Sequence, residues 1–377
     1  MRICFWIGSL TTGGAEGQLV KLAPGLVRKG HTVLVVLFHP LGRRRVEELR
    51  AAGVRVRCLN LPKLRPVTEW RGKIQALHCL LRSVAMLRRF RADVIHPFFL
   101  ESELWLVLCK MLGVPGVILT TRLSLVRTKN NSPWKNTAQN FCNRFAEGVI
   151  ANATAVAEDV IALERNLPRE MHVVRNGLPL ETIVNRAVQP TTGPIQCLAN
   201  YHPYKGHAEL LRAWKLVEAE FPKVWLRCCG RDTGALPVLK TLVQELGIAS
   251  RVELLGPTAT PLEDLQRAVV LVHPSHEEGL PNAVLEALVS NVPIVATHVG
   301  GTPELVQGLT HYGKLVSPKA PEELAAALRQ VLQDPEDHRP SASVDHAKWR
   351  RQWHQEVMIS GYDRIFTQAA KKSRHRR

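Results

Sequence analysis

Two glutamates stand eight positions apart in the segment SHEEGLPNAVLEAL, which spans residues 275–288. Glu278 precedes a Gly-Leu-Pro turn, and Glu286 lies in the apolar helical pattern that follows. Proline suits the first position of a helix, and the amides of a first helical turn have no partner inside the helix, so they bind anions. The segment therefore predicts a phosphate site at the start of a helix, formed by the amides of Gly279, Leu280 and Asn282, while Pro281 supplies none.

The spacing gives the two acids separate parts. Glu286 is expected about one and a half turns inside the helix, where a carboxylate can accept both hydrogens of a ribose diol. Glu278 is expected in the loop ahead of the phosphate, facing the group that is transferred. The alternative is an acidic loop followed by a glutamate on a helix surface, because acidic residues are mostly exposed.

Two further loops carry residue types that suit phosphate binding. LTTGGAEGQ places Gly13 and Gly14 between a strand and a helix, where glycine lets backbone amides approach a phosphate. It lacks the third glycine of a dinucleotide fingerprint, and an ordinary turn explains it equally well. ANYHPYKGHAELL puts Lys205 before a glycine and a helix, where an ammonium group can neutralise a diphosphate. Taken alone, this lysine is a surface residue.

These loops lie between alternating apolar runs and helical patterns, which predict parallel sheets covered on both faces. The alternation lapses at 184–194, VNRAVQPTTGP, which is typical of a linker. We therefore predict an α/β fold with two doubly wound, Rossmann-like domains facing a cleft. The N-terminal domain is placed at 1–185 and the C-terminal domain at 193–348. A helix is expected over 349–370 and a basic tail over 371–377.

Five motifs, in their order along the chain, resemble those of the retaining glycosyltransferases of family four, which have the two-domain GT-B fold. They are GGAE (13–16), RNGL (175–178), YKG (204–206), EGLPNAVLE (278–286) and VGGTPEL (299–305). The resemblance covers essentially the whole chain. It implies that the N-terminal domain binds the acceptor and that the C-terminal domain binds the nucleotide-sugar donor. In this family the helix near the C-terminus usually crosses back to the first domain, which implies that residues 349–370 do so here.

The resemblance implies roles for individual residues. The first glutamate of the E-x7-E element lies by the donor sugar and the second holds the ribose. The lysine and the glycine-rich loop bind the diphosphate, and the loop near Thr258 lines the base. The implied catalytic set is Glu278, Lys205 and His96. The implied donor-binding set is Gly14, Asn200, Lys205, Thr258, Gly279, Leu280, Pro281, Asn282 and Glu286. No metal ion and no cofactor is implied.

Two positions depart from the family pattern. Many members carry an arginine about five residues before the lysine, where this chain has Asn200. Losing one charge-assisted hydrogen bond there costs about 1.5–3 kcal/mol, or roughly 10- to 150-fold in rate. Other members carry a histidine two residues after the position of His96, where this chain has Phe98. His96 is then either a structural residue at a strand end or a sugar contact.

The implied reaction is transfer of a sugar, with retained anomeric configuration, from a nucleotide-diphosphate donor to a hydroxyl group. UDP is the nucleotide expected for the family, and the acceptor is a glycan or a lipid-linked glycan in polysaccharide, lipopolysaccharide or glycolipid synthesis. No carboxylate is placed as a nucleophile, so we expect a same-face displacement in which the departing phosphate helps to deprotonate the acceptor. The alternatives are a nucleotide-sugar-binding protein that has lost transfer, and a nucleotide-sugar epimerase on the same fold.

The charge distribution bears on the partner. Residues 1–180 hold 27 Lys and Arg against 12 Asp and Glu, whereas residues 181–377 hold 23 against 21. Residues 71–91 are typical of an amphipathic basic helix. Its apolar positions are Ile74, Leu77, Leu81, Val84 and Leu87, flanked by Arg82, Arg88, Arg89 and Arg91. We expect the apolar side to pack on a sheet and the arginines to face an anionic membrane. Nucleic acid is not the expected partner, because only 6% of residues are the aromatic type that stacks on bases.

The cysteines and apolar runs bear on the compartment. Eight cysteines include no CxxC motif and lie mostly in apolar runs, which indicates buried thiols in a reducing compartment. No apolar run has the length of a membrane span, and the N-terminus is not expected to be a signal peptide. The expected location is therefore cytoplasmic, peripheral to the inner face of the membrane.

Overall fold

Each half of the chain builds its own parallel sheet. A computed structural model describes residues 1–11, 13–61, 70–125, 133–182, 189–340 and 346–375. One unit is Met1–Gly177 with Gln355–Arg377, and the other is Leu178–His354. The first has a seven-stranded sheet and the second a six-stranded sheet, so the predicted fold class of two doubly wound α/β domains is confirmed. Thr12, residues 184–188 of the predicted linker and the last two residues of the predicted tail lie outside the described residues.

The first unit has its strands in the order β3-β2-β1-β4-β5-β6-β7. The strands are β1 Arg2–Ile7, β2 Thr32–Leu37, β3 Arg55–Cys58, β4 Val94–Pro97, β5 Val117–Arg122, β6 Gly148–Ala151 and β7 Glu170–Val173. The helices are α1 Gly14–Arg28, α2 Arg43–Ala51, α3 Trp70–Phe90, α4 Phe99–Met111, α5 Pro133–Asn143, α6 Thr154–Leu163 and, after the second unit, α14 Gln355–His375.

The central strand β1 has a core on each side. Side chains alternate between the two faces of a strand, and Phe5 belongs to the core shared with α1 and α14 whereas Trp6 belongs to the core shared with α3 and α4. Both side chains are fully buried. This two-sided burial explains why the strand is a continuous apolar run in the sequence rather than an alternating one.

The second unit has its strands in the order β10-β9-β8-β11-β12-β13. The strands are β8 Gly193–Leu198, β9 Val224–Cys229, β10 Val252–Leu255, β11 Val270–His273, β12 Ile294–Thr297 and β13 Gly313–Val316. The helices are α7 His207–Val217, α8 Leu236–Glu245, α9 Pro261–Arg267, α10 Asn282–Val289, α11 Thr302–Val306, α12 Pro321–Gln333 and α13 His346–Gln352. All pairings between these strands are parallel.

Two strands have no counterpart among the strands predicted from the sequence. The strands β7 and β13 lie at sheet edges and are only partly buried. Their sequences, EMHV and GKLV, are short and partly polar, so they lack the continuous apolar run that marks a strand buried on both faces.

The helix predicted over 349–370 is two helices. α13 ends at Gln352 and α14 begins at Gln355. Between them, Trp353 is buried and its carbonyl accepts a hydrogen bond from the amide of Leu178, while His354 forms a parallel bridge with the same residue. These backbone pairings replace the helical ones. The boundary between the units falls at this break, and α14 belongs to the first unit.

The expectation that the apolar side of α3 packs on a sheet is wrong for half of the helix. Val84 and Leu87 are buried, but Ile74, Leu77 and Leu81 are 57%, 56% and 53% exposed. The physical reason is periodicity. The spacing of these five residues is tighter than 3.6 residues per turn, so at about 100° per residue the apolar stripe turns by roughly 140° around the helix. Only its C-terminal half faces the core.

Candidate functional site

The candidate site lies in the second unit, where the strand order reverses. From β8 the chain proceeds outward to β9 and β10 on one side, and then returns to β11, β12 and β13 on the other. The loops that follow β8 and β11 therefore leave the carboxyl edge of the sheet in opposite directions. Ligands of open α/β sheets bind at this reversal. Lys205 follows β8, and Glu278 follows β11.

Lys205 and Glu278 form an ion pair at this position. The distance from Lys205 Nζ to Glu278 Oε1 is 2.5 Å, and the side chains are 16% and 10% exposed. The ammonium group also lies 5.0 Å from the ring centroid of Tyr204, within the range of a cation–π contact. The amide of His276 donates to the carbonyl of Tyr204 at 2.7 Å, which ties the two loops together. Residues separated by 73 positions thus share one polar cluster.

A residue that the sequence analysis did not single out completes the cluster. His273, the last residue of β11, has its Nε2 atom 2.7 Å from the same Glu278 Oε1 and 3.2 Å from Ser275 Oγ. Its side chain is 4% exposed. The hydroxyl of Thr297, at the end of β12, donates to the carbonyl of Ser275 at 2.5 Å. The sequence carries a signal for His273, because an ionisable residue inside a buried apolar strand needs a polar partner.

The electrostatics of the cluster fix its charge state. Burial raises the pKa of the Glu278 carboxyl, but Lys205 and His273 outweigh burial and hold this pKa well below its ordinary value. Burial lowers the pKa of the Lys205 ammonium group, and Glu278 reverses that effect and raises it. The two groups are therefore a charged pair at neutral pH. Both hydrogen bonds to Glu278 end on Oε1, and among the described residues none ends on Oε2.

Two glycines allow the loops to approach each other. Gly206 has φ +70°, and a Cβ atom there would overlap the carbonyl oxygen of Pro274. Gly300, after β12, has φ +51°, and a Cβ atom there would overlap the carbonyl oxygen of Glu278. Both positions combine left-handed backbone with close backbone contact, so no other residue fits them without strain. The next amide, that of Gly301, donates to the carbonyl of Gly279 at 2.6 Å.

The helix after Glu278 begins close to its predicted start. Pro281 lies at the N-cap position rather than the first helical position, and α10 begins at Asn282. The side chain of the N-cap residue Pro281 makes no capping hydrogen bond. Glu286 lies a little more than one turn inside the helix and is partly exposed. Gly279 and Leu280 are buried in the loop between the acid and the helix.

The other predicted donor-binding residues of this unit lie on neighbouring loops of the same sheet edge. Asn200 follows β8, and its Oδ1 accepts a hydrogen bond of 3.1 Å from the amide of Arg231, which follows β9. The amide side chain thus organises a loop. Thr258 follows β10, and its hydroxyl accepts from the amide of Thr260 at 3.1 Å. The structure brings Lys205 and Glu278 into contact, whereas Thr258 belongs to the loop of the edge strand.

The first unit contains Gly14 and His96. Gly14 is the first residue of α1, and the carboxylate of Glu16 lies against Gly13 beside it. His96 lies on β4 and has no exposed surface. Its ring packs against four aromatic side chains: Phe5, Phe98, Tyr362 and Phe366. Burial lowers the pKa of His96 to about 3, against an opposing effect of the backbone at Leu119. This geometry offers His96 no contact with a substrate.

Two family models match this chain. A family model described as glycosyl transferase 4-like domain matches residues 13–177, and a model described as glycosyl transferases group 1 matches residues 194–334. The chain belongs to the family-four-type glycosyltransferases. The second match contains the whole Lys205–Glu278 cluster of this glycosyltransferase, and the first contains the paired glycines of α1.

Curated relatives of this glycosyltransferase include two D-inositol 3-phosphate glycosyltransferases. The protein from Corynebacterium diphtheriae is 28% identical over 295 residues, which cover 70% of this chain and 68% of the relative. The protein from Mycolicibacterium gilvum is 31% identical over 236 residues, which cover 58% of this chain and 52% of the relative. The match therefore spans about half the length of the second relative.

A solved structure shows the same fold. The structure of Anabaena HepE in complex with UDP-glucose has a TM-score of 0.82 and 21% identity, covering 98% of this glycosyltransferase and 100% of the solved chain. The two parallel-sheet units are those of the GT-B fold. None of the described helices is both long and apolar enough to cross a membrane.

Proposed function

We propose that this glycosyltransferase moves a sugar from a nucleotide-diphosphate donor, with UDP as the nucleotide, to a hydroxyl group of a glycan or lipid-linked acceptor. The observation that carries the proposal is the partly buried Lys205–Glu278 ion pair at the strand reversal of the second unit. The choice of UDP is supported by the solved complex of HepE with UDP-glucose. The inositol 3-phosphate in the names of the curated relatives supports a hydroxyl acceptor that bears a phosphate.

In this proposal Lys205 stabilises the leaving diphosphate. An ammonium group has three hydrogen-bond donors, so Lys205 can keep its hydrogen bond to Glu278 and still donate to a diphosphate oxygen. A pair of opposite charges 4 Å apart gains about 4 kcal/mol at an effective dielectric constant of 20. Orientation of the two substrates can supply a further 7–11 kcal/mol. For comparison, enzymes lower the activation barrier by roughly 8–23 kcal/mol in total. The first-turn amides of α10 add donors that face the same charge.

Glu278 has two parts in this proposal. Its Oε1 atom orients Lys205 and accepts from His273, whereas Oε2, which has no partner among the described residues, is available to a hydroxyl of the donor sugar. Glu286 holds the ribose and Thr258 lines the base. We propose retention by same-face displacement without a metal ion, with the departing phosphate helping to take the acceptor proton. His96 has no part in it, since the structure buries the ring completely.

Donor turnover tests the proposal. Purified protein is incubated with UDP-, GDP- and ADP-sugars, with and without an inositol phosphate acceptor, and NMR records the anomeric configuration of the product. Glu278→Gln and Lys205→Ala should lower turnover by on the order of 100- to 1000-fold, the loss typical of removing one group that stabilises developing charge. Glu277→Gln, at the neighbouring glutamate, is the matched control and should keep turnover.

The possible results separate the proposal from its alternatives. Tight UDP binding with no turnover of any donor would replace it with a binding protein that has lost transfer. That alternative is motivated by Asn200, which organises a loop where related proteins carry an arginine. Release of an isomerised nucleotide sugar without acceptor would indicate an epimerase, and product with inverted configuration would contradict retention.

We also propose that the protein works at the anionic, cytoplasmic face of a membrane, in polysaccharide, lipopolysaccharide or glycolipid synthesis. The excess of 27 basic over 12 acidic residues within 1–180 supports this location. The exposed Ile74, Leu77 and Leu81 of α3 support it as well. Flotation with anionic vesicles at physiological salt is the test, and recovery of all protein in the unbound fraction would refute the location without affecting the transfer activity.

A further inference from the structure

A cavity lies in the first unit, at the edge strand of its sheet. Its volume is about 570 Å³. Four of its lining residues are arginines: Arg50, Arg55, Arg57 and Arg89. Leu34, Met86 and Phe90 add apolar surface. We call this cavity the arginine cleft. It is formed by the end of α2, the strand β3 and the last turns of α3, so it is built within one unit.

The strand register explains why arginines line the cleft. Arg55 pairs with Leu34 and Arg57 with Val36 in the parallel ladder of β3 and β2. Paired residues share one face of a sheet, and Leu34 and Val36 belong to the core under α3 and α4. The two arginines therefore occupy positions where an interior strand would place apolar side chains. The strand β3 is at the edge of the sheet, so these positions open into the cleft.

The cleft lies near the edge of the first sheet at which the strands begin. It includes the residues just before β3 and the start of that strand, Gly53, Val54 and Arg55. In a parallel sheet, the starts of the strands all lie at the edge opposite to their carboxyl ends, where substrates of such folds bind. An acceptor or donor site would therefore not explain this cleft.

The charge of the cleft is uncompensated. Among the described residues, no carboxylate lies within ion-pair distance of any of its four arginines. All four side chains belong to exposed residues. By contrast, Arg122 in the core of the same unit is paired with both Glu103 and Glu164. Guanidinium groups bind phosphate oxygens in a bidentate manner, so four of them around one cavity favour a phosphate-bearing ligand.

The adjacent surface of α3 favours a lipid over a soluble phosphate as the ligand of the cleft. At 100° per residue, Ile74, Leu81 and Arg88 lie within about 40° of one another on the helix, and Arg89 lies on the flank that borders the cleft. Ile74 and Leu81 are more than half exposed. If this side of α3 contacted a bilayer, Ile74 and Leu81 would enter the outer acyl region, while the arginines would remain at the depth of the headgroups.

We propose that the arginine cleft binds the phosphate headgroup of an anionic membrane lipid while the exposed residues of α3 enter the outer acyl region. The inference deepens the membrane location proposed above and rests on it, but does not depend on glycosyl transfer. It also specifies which surface faces the membrane: the edge strand β3 and the helix α3.

Vesicle flotation tests the cleft directly. The full-length protein is floated with phosphatidylcholine vesicles that contain or lack phosphatidylglycerol, at an ionic strength of about 0.15 M. Arg55→Gln/Arg57→Gln should bind the anionic vesicles about thirtyfold more weakly, since each arginine near an anionic surface contributes about fivefold. Arg89→Gln, in the helix α3, should bind the anionic vesicles about fivefold more weakly. A loss in this variant cannot be explained by a folding defect of the strand β3.

A matched variant separates the cleft from overall charge. Arg165 and Arg169 are exposed and precede β7, at the opposite edge of the same sheet. Arg165→Gln/Arg169→Gln removes the same charge and should keep wild-type flotation. An equal loss in this variant would overturn the proposal in favour of unspecific attraction. Binding of millimolar glycerol phosphate to the wild-type protein, together with no flotation on anionic vesicles, would overturn it in favour of a soluble anion.

A last readout keeps this test independent of the enzymatic one. Donor hydrolysis in solution, without vesicles, should be unchanged in the cleft variants because none of these arginines belongs to the Lys205–Glu278 cluster. If hydrolysis is absent from every protein while flotation follows the expected order, the function proposal fails and the lipid site stands. If hydrolysis is present and the wild-type protein does not float, the lipid site fails.

Discussion

Individual residues define the site through one shared oxygen atom. Lys205 and His273 both bind Oε1 of Glu278, so the orientation of the glutamate depends on two loops and one strand. A histidine at the end of a buried strand is a rigid anchor, because the strand fixes its backbone and burial fixes its ring. We therefore interpret His273 as a positioning residue that acts through Glu278.

Substitution of His273 should affect turnover more than donor affinity. His273→Leu removes a hydrogen bond to a charged group, which costs about 1.5–3 kcal/mol, or roughly 10- to 150-fold in kcat. His273→Gln keeps an N–H donor and should recover much of the loss. Steady-state kinetics with the preferred donor measures both variants. A similar loss in the two variants, with KM raised and kcat unchanged, would contradict the positioning role.

His96 should control the pH dependence of stability rather than catalysis. Its pKa is about 3 in the folded protein and about 6.5 when unfolded. Between these values only the unfolded state binds the proton, so the free energy of unfolding falls by about 1.4 kcal/mol for each unit of decreasing pH. His96→Phe should abolish this contribution and retain donor hydrolysis.

Urea denaturation between pH 6.5 and 4 measures the effect of His96. His78→Phe is the control, because His78 is exposed on α3 and its removal should leave the slope in place. Loss of hydrolysis by a correctly folded His96→Phe protein would restore the catalytic role that the resemblance implies for this residue.

At the scale of elements, the site depends on how closely the loops of adjacent strands approach. The loops after β8, β11 and β12 meet through backbone contacts at Gly206 and Gly300. Each glycine lies against a carbonyl oxygen of the loop after β11, which carries Glu278. The strand order determines which loops meet, and the glycines allow the final contact.

Replacement of Gly300 should damage both stability and donor binding. Gly300→Ala combines a left-handed backbone, which costs an alanine roughly 1–2 kcal/mol, with overlap of the Glu278 carbonyl. Gly308→Ala is a matched control, because Gly308 has φ +85° and open space around it. We expect the free energy of unfolding of the control to fall only by the cost of the left-handed backbone, with UDP affinity unchanged. Chemical denaturation and UDP titration calorimetry compare them, and equal losses in both variants would show that the loop contact is unimportant.

The elements also show where periodicity misleads. The helix α3 carries five apolar residues at plausible helical spacing, yet three of them are exposed. The helix predicted over 349–370 breaks at Trp353, where the backbone pairs with Leu178. In α3 the spacing of the apolar residues turns the stripe around the helix. The break at Trp353 depends on a distant segment, which a pattern within one window of sequence cannot contain.

At the scale of the whole molecule, the described chain consists of two units with separate cores. The Lys205–Glu278 cluster belongs to the unit Leu178–His354, and the arginine cleft belongs to the other unit. Donor recognition and lipid recognition are therefore proposed on different bodies of one chain, which allows them to be disrupted independently.

Donor binding should protect one unit selectively. At a donor concentration of about 100 times Kd, amides that exchange only after the bound unit opens should slow by about a hundredfold. We expect the largest protection in Leu178–His354, at the loops that follow β8, β11 and β12. Hydrogen exchange with mass spectrometry and UDP-glucose measures it, with Lys205→Ala as the control. Equal protection of β3 and α3 would contradict binding at the proposed site.

Much of the fold was predictable because buried parallel strands have a strong local signature. Most strands of the two sheets were recognised as continuous apolar runs, whereas the edge strands β7 and β13 were not. The two loops that carry Lys205 and Glu278 were also recognised in the sequence, and they follow adjacent strands. Their direct contact was not predictable, because it depends on how two loops separated by 73 residues fold over one sheet edge.

The sequence by itself determined the fold class, the glycine and proline positions of the loops, and the residue types available to bind a phosphate. Those features depend on local backbone preference and on burial. Only the tertiary structure decided that His273 joins Lys205 on one glutamate oxygen, that His96 is enclosed by aromatic rings, and that four arginines surround a cleft at an edge strand. The reason is physical: contacts between side chains are set by strand order and packing, which bring together residues that are far apart in the chain.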